Sequence, residues 1–232
     1  MSRGLLIPEK YLWKPPLGAR IDPLHPLSAG LQGAWLFNEG GGNVFYNPAN
    51  PLFNATLTTG GATATTRVPT PYGPGVSHTA SASNNGATFT SLSAGTTFTF
   101  ATWVNLTSVS SAYQNLLTNS STSGIWTKSG KLDAFLNQDK LSTTAVSAGV
   151  WVNWVFSCSA ASGTFYLNGV ADGTASSVTA FSPTGMLCDP GGTEQFTGTM
   201  SHQYLWVGRA LTAAEVQGLY VNPFAMFNTA VL

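Results

Sequence analysis

Acidic residues are the first candidates for catalysis, because paired carboxylates about 5–10 Å apart can cleave a glycosidic bond. The chain has nine Asp and Glu residues. None is separated from another by two or four positions, the spacings that place a pair on one strand face. Asp133 and Asp139 lie six positions apart, and Gln138 and Lys140 beside Asp139 indicate a turn. We therefore expect a solvated hairpin tip at these two aspartates and no glycosidase site.

The histidines and cysteines predict neither a metal site nor a catalytic nucleophile. His25, His78 and His202 are far apart, and no H-x-x-x-H or C-x-x-C pattern for zinc is present. His202 lies in an aromatic strand, where a hydrogen-bonded core or groove residue is expected. Cys158 falls on an apolar strand face, which predicts a buried thiol. Cys188 lies in a Gly/Pro loop, and a disulfide between the two cysteines stays open.

Some side chains could bind a sugar without cleaving it. A sugar site stacks an aromatic ring on an apolar sugar face and adds amide or hydroxyl hydrogen bonds. Tyr113, Asn115, Trp126 and Asn137 supply such groups on or near predicted loops. Because Trp126 follows Gly124 and Ile125, the alternative is that its ring points into the core. These four residues are the candidate carbohydrate-binding residues.

The composition excludes several classes of function. Only 8% of the 232 residues are charged and the formal net charge is zero, whereas an average soluble domain is about 25% charged. Nucleic-acid binding and polybasic membrane anchoring both need clustered Lys and Arg, so neither is expected. No apolar run reaches the roughly 18 residues of a membrane span. The opening apolar run, broken by Pro8 and Glu9, is too short for a secretory signal.

The elements that must position these side chains are mainly β-strands. Apolar and polar residues alternate in residues 97–106, 150–158 and 199–207, and Gly, Ser and Asn clusters bound each run. Met200 and His202 are expected on the same face of the third run. Short strands separated by turns over some 190 residues indicate a β-sandwich or jelly roll.

Two local motifs refine this fold. Asn168 and Gly169 fit the two central positions of a type I′ hairpin turn. Thr212 and Glu215 form a capping box that begins a short helix, and Pro223 ends it. The sequence therefore predicts an all-β fold, a two-sheet antiparallel jelly-roll sandwich with one short C-terminal helix.

The two ends of the chain differ from its middle. Five prolines in the first 29 residues predict an extended N-terminal arm over residues 1–29, before a jelly roll over 30–221 and a C-terminal tail over 222–232. A stiff segment loses little entropy on docking, and Trp is a frequent interface anchor. The alternative is that both ends fold back on their own domain, or that only the tail does. The candidate partner-binding residues are Leu12, Trp13, Lys14, Pro15, Pro16, Phe224, Met226 and Phe227.

Several segments together resemble the laminin G-like, concanavalin A-like lectin jelly-roll family. They are residues 33–40 (GAWLFNEG), 98–104 (FTFATWV), 151–155 (WVNWV) with 165–169 (FYLNG), and 196–198 (FTG) with 209–220 (RALTAAEVQGLY). The arm and the tail are similar to jelly-roll proteins encoded in tailed-phage structural gene clusters, at residues 11–16 (YLWKPP), 21–22 (ID), 25–27 (HPL) and 222–227 (NPFAMF). The resemblance implies a virion component, such as a capsid decoration or tail-associated protein.

Members of this family often carry Ca²⁺, but two positions here depart from that pattern. Asn47 and Ser201 stand where the family often has acidic residues. Hard cations prefer carboxylate oxygens, so we expect no Ca²⁺ site and no cofactor.

Together these features lead us to expect a non-enzymatic phage virion structural protein. It would decorate or cement the capsid through the jelly roll and the N-terminal arm. Its expected partners are other virion proteins, either the major capsid protein or tail proteins, with copies of itself and host surface glycans as further candidates. The expected location is the virion, after assembly in the host cytoplasm, where both cysteines would stay reduced. The alternative is a carbohydrate-binding, lectin-like adhesin on the particle surface or tail.

Overall fold

The computed structural model describes residues 14–79, 86–110, 112–121, 123–189 and 194–228. Within these ranges, two α-helices, α1 (Thr59–Ala64) and α2 (Ala213–Val221), and two 3-10 turns (Pro26–Ser28 and Pro51–Phe53) lie among the strands. The strands are β1 (Leu31–Trp35), β2 (Val44–Phe45), β3 (Ala55–Leu57), β4 (Thr65–Thr70), β5 (Gly73–His78), β6 (Ala87–Thr88), β7 (Phe98–Leu106), β8 (Gln114–Ser120), β9 (Ser123–Lys128), β10 (Lys131–Leu136), β11 (Trp151–Ser159), β12 (Ser162–Leu167), β13 (Val170–Ala175), β14 (Gly185–Met186) and β15 (Gly198–Val207).

The strands form two antiparallel sheets that pack face to face. The larger sheet has eight strands in the order β13-β12-β11-β7-β15-β5-β4, with β1 added beside β15. The smaller sheet has seven strands in the order β10-β9-β8-β14-β6-β3-β2. The predicted two-sheet sandwich with a short C-terminal helix is therefore confirmed. Among the described residues, no helix has the length and apolar character needed to cross a membrane.

The local motifs act as the sequence predicts. The three long alternating runs form β7, β11 and β15, the strands at the centre of the larger sheet. Asn168 and Gly169 have positive φ angles of 50° and 80° in the turn between β12 and β13. The Thr212 side chain accepts from the Glu215 N–H, and Glu215 completes the capping box of α2. Helix α1 was not expected; it lies in a Gly/Thr-rich stretch for which the sequence predicts loops and short strands.

Two hydrophobic cores lie on opposite faces of the larger sheet. The first core fills the space between the sheets. The second core lies on the outer face of the larger sheet, beneath α2, the C-terminal tail and the N-terminal arm. A bulge in β15 changes the predicted face of Met200, because the register shifts between Met200 and His202. Met200 therefore packs in the first core, whereas His202 lies on the other face beside Tyr204.

Candidate functional site

A buried lysine anchors the N-terminal arm to the larger sheet. Lys14 Nζ donates to the carbonyl oxygens of Pro74 and Ser201, the second at 2.7 Å, and the Lys14 N–H donates to the Tyr72 carbonyl at 3.2 Å. Burial lowers the pKa of Lys14 to about 7, although the Glu39 carboxylate opposes this shift. Two N–H bonds of the side chain are thus taken up by the two carbonyl oxygens.

The arm and the tail pair with each other over the second core. Ile21 and Phe227 form an antiparallel bridge, and the Asp22 N–H donates to the Met226 carbonyl at 2.8 Å. Phe224, Met226 and Phe227 are all buried in the second core. A surface that binds a partner must be exposed, and these three side chains are not. The tail therefore folds back on its own domain. The outer face of the sheet carries large aromatic rings, and the tail covers them because exposed rings would be unfavourable.

The arm residues predicted to bind a partner do not share one environment. Leu12 and Trp13 lie outside the described residues. Lys14 and Pro15 are buried, so their side chains hold the arm on its own domain. Pro16 is exposed and lines a groove on the surface. Of the described candidates in the arm, only Pro16 is therefore placed where a partner could touch it.

An open groove of about 450 Å³, here called the arm groove, lies between the arm and the loop that follows β2. Leu17 and Tyr46 border it and are 57% and 50% exposed. An accessible, mainly apolar groove of this size is typical of a binding site. Its lining residues are Pro16, Leu17, Gly18, Ala19, Arg20, Leu36, Asn38, Tyr46, Asn47, Pro48, Pro51 and Asn54.

A tight turn holds Leu17 at the edge of the arm groove. The Ala19 N–H donates to the Pro16 carbonyl at 3.0 Å, and Gly18 has a φ of 90°, which a type II turn requires at its third residue. The P-L-G-A sequence could have predicted this turn. It could not predict the groove, because the opposite wall comes from a loop some 30 residues later.

Asn47 organises that opposite wall. Its Oδ1 accepts from the N–H groups of Ala34, Ala49 and Asn50 at 2.9, 3.1 and 3.3 Å, and its Nδ2 donates to the Gln32 carbonyl at 2.8 Å. An oxygen that already accepts three N–H bonds has little capacity left for a cation, and the amide cannot supply the charge of a carboxylate. The residue at this position therefore does not fit Ca²⁺.

Ser201, the second position that is often acidic in the family, is equally unsuited to a cation. It is fully buried, and its Oγ lies 2.9 Å from His202 Nδ1 and accepts from Thr70 Oγ1 at 3.3 Å. Within the described ranges, no three His, Cys, Asp or Glu side chains cluster as metal ligands would.

Tyr113, Trp126 and Phe135 form an aromatic cluster on the outer face of the smaller sheet. The rings of Trp126 and Phe135 stack with their centroids 4.6 Å apart, and Tyr113 packs against them at 5.0 and 5.4 Å. Lys128 Nζ donates to Tyr113 Oη at 2.8 Å and to Asp139 Oδ2 at 2.6 Å. Trp126 is thus buried, but by neighbours on the outer face and not in the first core.

The four candidate carbohydrate-binding residues are not all accessible. Asn115 and Trp126 are buried, whereas Tyr113 is half-buried and Asn137 is exposed. Tyr113 borders a second groove of about 250 Å³ that contains hydroxyl and amide side chains. The accessible candidates are therefore Tyr113, which borders this groove, and Asn137, which does not line it. The other lining residues of the groove are Ser108, Ser110, Ala112, Gln114, Gln195 and Thr197.

Asp133 and Asp139 are neighbours, but the prediction of a solvated tip is wrong for Asp133. Asp133 is fully buried, and its Oδ1 accepts from the Lys140 N–H at 2.9 Å. Burial raises the pKa of Asp133 to about 7, and the nearby Asp139 carboxylate adds to this shift. A catalytic carboxylate must reach its substrate. Because Asp133 is enclosed, this pair cannot act on a glycan.

His202 and both cysteines have structural positions. His202 is fully buried, its ring stacks on Trp103 with the centroids 4.2 Å apart, and burial holds the pKa of His202 well below its usual value. This confirms the predicted core position. Cys158 and Cys188 are buried thiols, and each donates to a backbone carbonyl.

The geometry can be compared with known proteins. A family model described as the concanavalin A-like lectin/glucanases superfamily matches residues 76–217. The binding domain of Paraclostridial Mosquitocidal Protein 1 is similar in structure, with a TM-score of 0.67 and 14% identity over 86% of this chain and 53% of that one. A sialidase of Trypanosoma rangeli has a TM-score of 0.64 and 14% identity over 86% of this chain and 34% of that one. The chain thus spans about half and a third of these two proteins, and the likeness shows a common fold. No curated protein matches the chain.

Proposed function

The chain belongs to the concanavalin A-like lectin/glucanase superfamily, and from that premise we propose that it is a non-enzymatic structural protein of a bacteriophage particle. It decorates or cements the capsid by binding other virion proteins. Its location is the virion, after assembly in the host cytoplasm. The observation that carries this proposal is the arm groove, an open apolar surface beside the end of the arm. Apolar grooves suit protein segments better than they suit sugars, which need many polar partners.

The remainder of the molecule supports a binding role. Asp133 is buried, so Asp133 and Asp139 do not face a substrate together. A neutral chain has little charge to repel its neighbours, which favours close packing on a particle. The tail and Leu27 of the arm belong to the second core, so the contact with the particle is assigned to the exposed groove and not to the whole arm.

The experiment is co-sedimentation of the purified chain with particles whose gene for this protein has been deleted. Wild-type protein should bind saturably. Leu17→Asp should weaken binding by about tenfold or more, because it places a charge at the apolar edge of the groove. Leu52→Asp is the matched control, since Leu52 is 77% exposed on the neighbouring loop and does not line the groove. Equal binding by all three proteins, or no binding by the wild type, would refute the proposal.

A second candidate function is carbohydrate binding by a lectin-like adhesin, favoured by the groove beside Tyr113. This groove combines an aromatic ring with hydroxyl and amide groups, the chemistry that sugar binding needs. A glycan array would test it. A saturable glycan that is lost in Tyr113→Ala and kept in Tyr46→Ala would support the adhesin, and an array without saturable binding would exclude it.

A further inference from the structure

The Arg20 side chain brings a positive charge to the arm groove. Arg20 lines the groove and is exposed, and among the described residues no carboxylate forms an ion pair with it. The other lining atoms are mainly apolar, with Leu17 and Tyr46 at the edges. A segment that fits this groove should therefore carry several apolar side chains and one acidic residue.

The chain itself contains such a segment. Residues 5–8 read Leu-Leu-Ile-Pro, and Glu9 follows them directly. This segment belongs to the 13 residues that precede Lys14, the first residue that the structure describes. Thirteen residues can span about 40 Å when extended. The run therefore has the composition and the reach to enter a groove on a neighbouring molecule.

Zero net charge favours a second copy as the source of this segment, because copies of the chain repel each other little. The arm beside the groove is fixed to its own domain: the Lys14 N–H donates to the Tyr72 carbonyl, and Asn38 Nδ2 donates to the Pro15 carbonyl at 2.8 Å. The ring of each proline fixes φ, so the backbone from Lys14 to Pro16 is stiff where it reaches the groove. A docked segment therefore meets a wall that is already in place.

We propose that the arm groove of one copy binds residues 5–8 of a second copy, with Glu9 of the second copy paired to Arg20. This inference rests on the proposed function, because it names the partner segment that the groove takes. Each copy then offers one groove and one segment, so copies link head to tail and cement the surface they cover.

Sedimentation velocity of the full chain over a range of concentrations tests the proposal. Wild-type protein should associate reversibly. Leu17→Asp should weaken the association about tenfold or more. Arg20→Glu and Glu9→Arg should each weaken it about threefold to tenfold, and the protein that carries both changes should recover, because the ion pair is restored with reversed polarity. Leu52→Asp should behave as wild type.

Three outcomes would overturn the inference: a wild-type chain that stays monomeric, association that Leu17→Asp leaves unchanged, or a double variant that does not recover. The failures can be separated from those of the proposed function. If the free chain is monomeric while Leu17→Asp still abolishes particle binding, this inference falls and the proposed function stands. If the charge swap restores association but the chain does not bind particles, the proposed function fails and the groove's partner is still the second copy.

Discussion

Lys14 Nζ donates to the Ser201 carbonyl at 2.7 Å, and this bond fastens the arm to the bulge of β15. The bulge turns His202 towards the outer face of the larger sheet, where Phe224 of the tail packs against it with the ring centroids 4.7 Å apart. Arm, strand and tail therefore meet at one buried point. The first prediction concerns the protonation of Lys14 at this point.

Lys14→Met should change the pH dependence of stability. The pKa of Lys14 is lowered from 10.5 to about 7 in the folded protein, so the unfolded chain binds more protons between these values. The free energy of unfolding of the wild type, relative to Lys14→Met, should rise by up to about 1.4 kcal/mol per pH unit from pH 7 towards pH 10. Urea unfolding at several pH values measures this. Parallel profiles for wild type and Lys14→Met would contradict the account.

Asp133→Asn should have the opposite effect. Burial raises the pKa of Asp133 from 3.8 to about 7, so the folded protein binds more protons and the wild type loses stability as pH rises through this range. The free energy of unfolding of Asp133→Asn should therefore rise relative to that of the wild type, by a total on the order of 3 kcal/mol between pH 4 and pH 8. A stability difference that does not vary with pH would show that Asp133 is not buried as described.

Asn47→Ala should destabilise the wall of the arm groove. It leaves three N–H groups and the Gln32 carbonyl without their partner. The expected loss is about 2–4 kcal/mol in the free energy of unfolding. Asn43→Ala, at an exposed position nearby, should cost less than about 0.5 kcal/mol.

About 5 mM Ca²⁺ should not raise the melting temperature of the wild type, because Asn47 does not fit the ion.

Phe224→Ala should lower stability by about 3–5 kcal/mol, because it opens a cavity in the second core. Val221→Ala is the control, since Val221 is 42% exposed at the end of α2. Chemical unfolding would measure both. A loss below about 1 kcal/mol for Phe224→Ala would mean that the tail does not cover the sheet. The tail would then again be a candidate for binding a partner.

Local chemistry made much of the fold predictable. Alternation revealed β7, β11 and β15, and the Asn168-Gly169 turn and the Thr212 capping box each depend on residues close in sequence. Long-range effects were not predictable. Met200 and His202 are two positions apart, a spacing that normally places both on one face, yet a bulge places them on opposite faces of the strand. No pattern within one strand reports such a shift.

The site was less predictable than the fold, for the same reason. Trp126 and Asp133 lie on the outer face of the smaller sheet, but neighbouring rings and the turn at Lys140 cover them. Phe224 was a candidate for binding a partner because its apolar character is visible in sequence, whereas the cover it provides is visible only in three dimensions. The arm groove joins segments distant in sequence and left no local pattern.

The most direct test of the central claim is photo-cross-linking on assembled particles, with p-benzoylphenylalanine in place of Leu17. The account predicts that position 17 cross-links to another protein of the particle, which includes another copy of this chain. The same group in place of Val170, which is 66% exposed at the start of β13, should give little or none. Cross-links from position 170 with none from position 17 would contradict the claim that the arm groove is the contact with the particle.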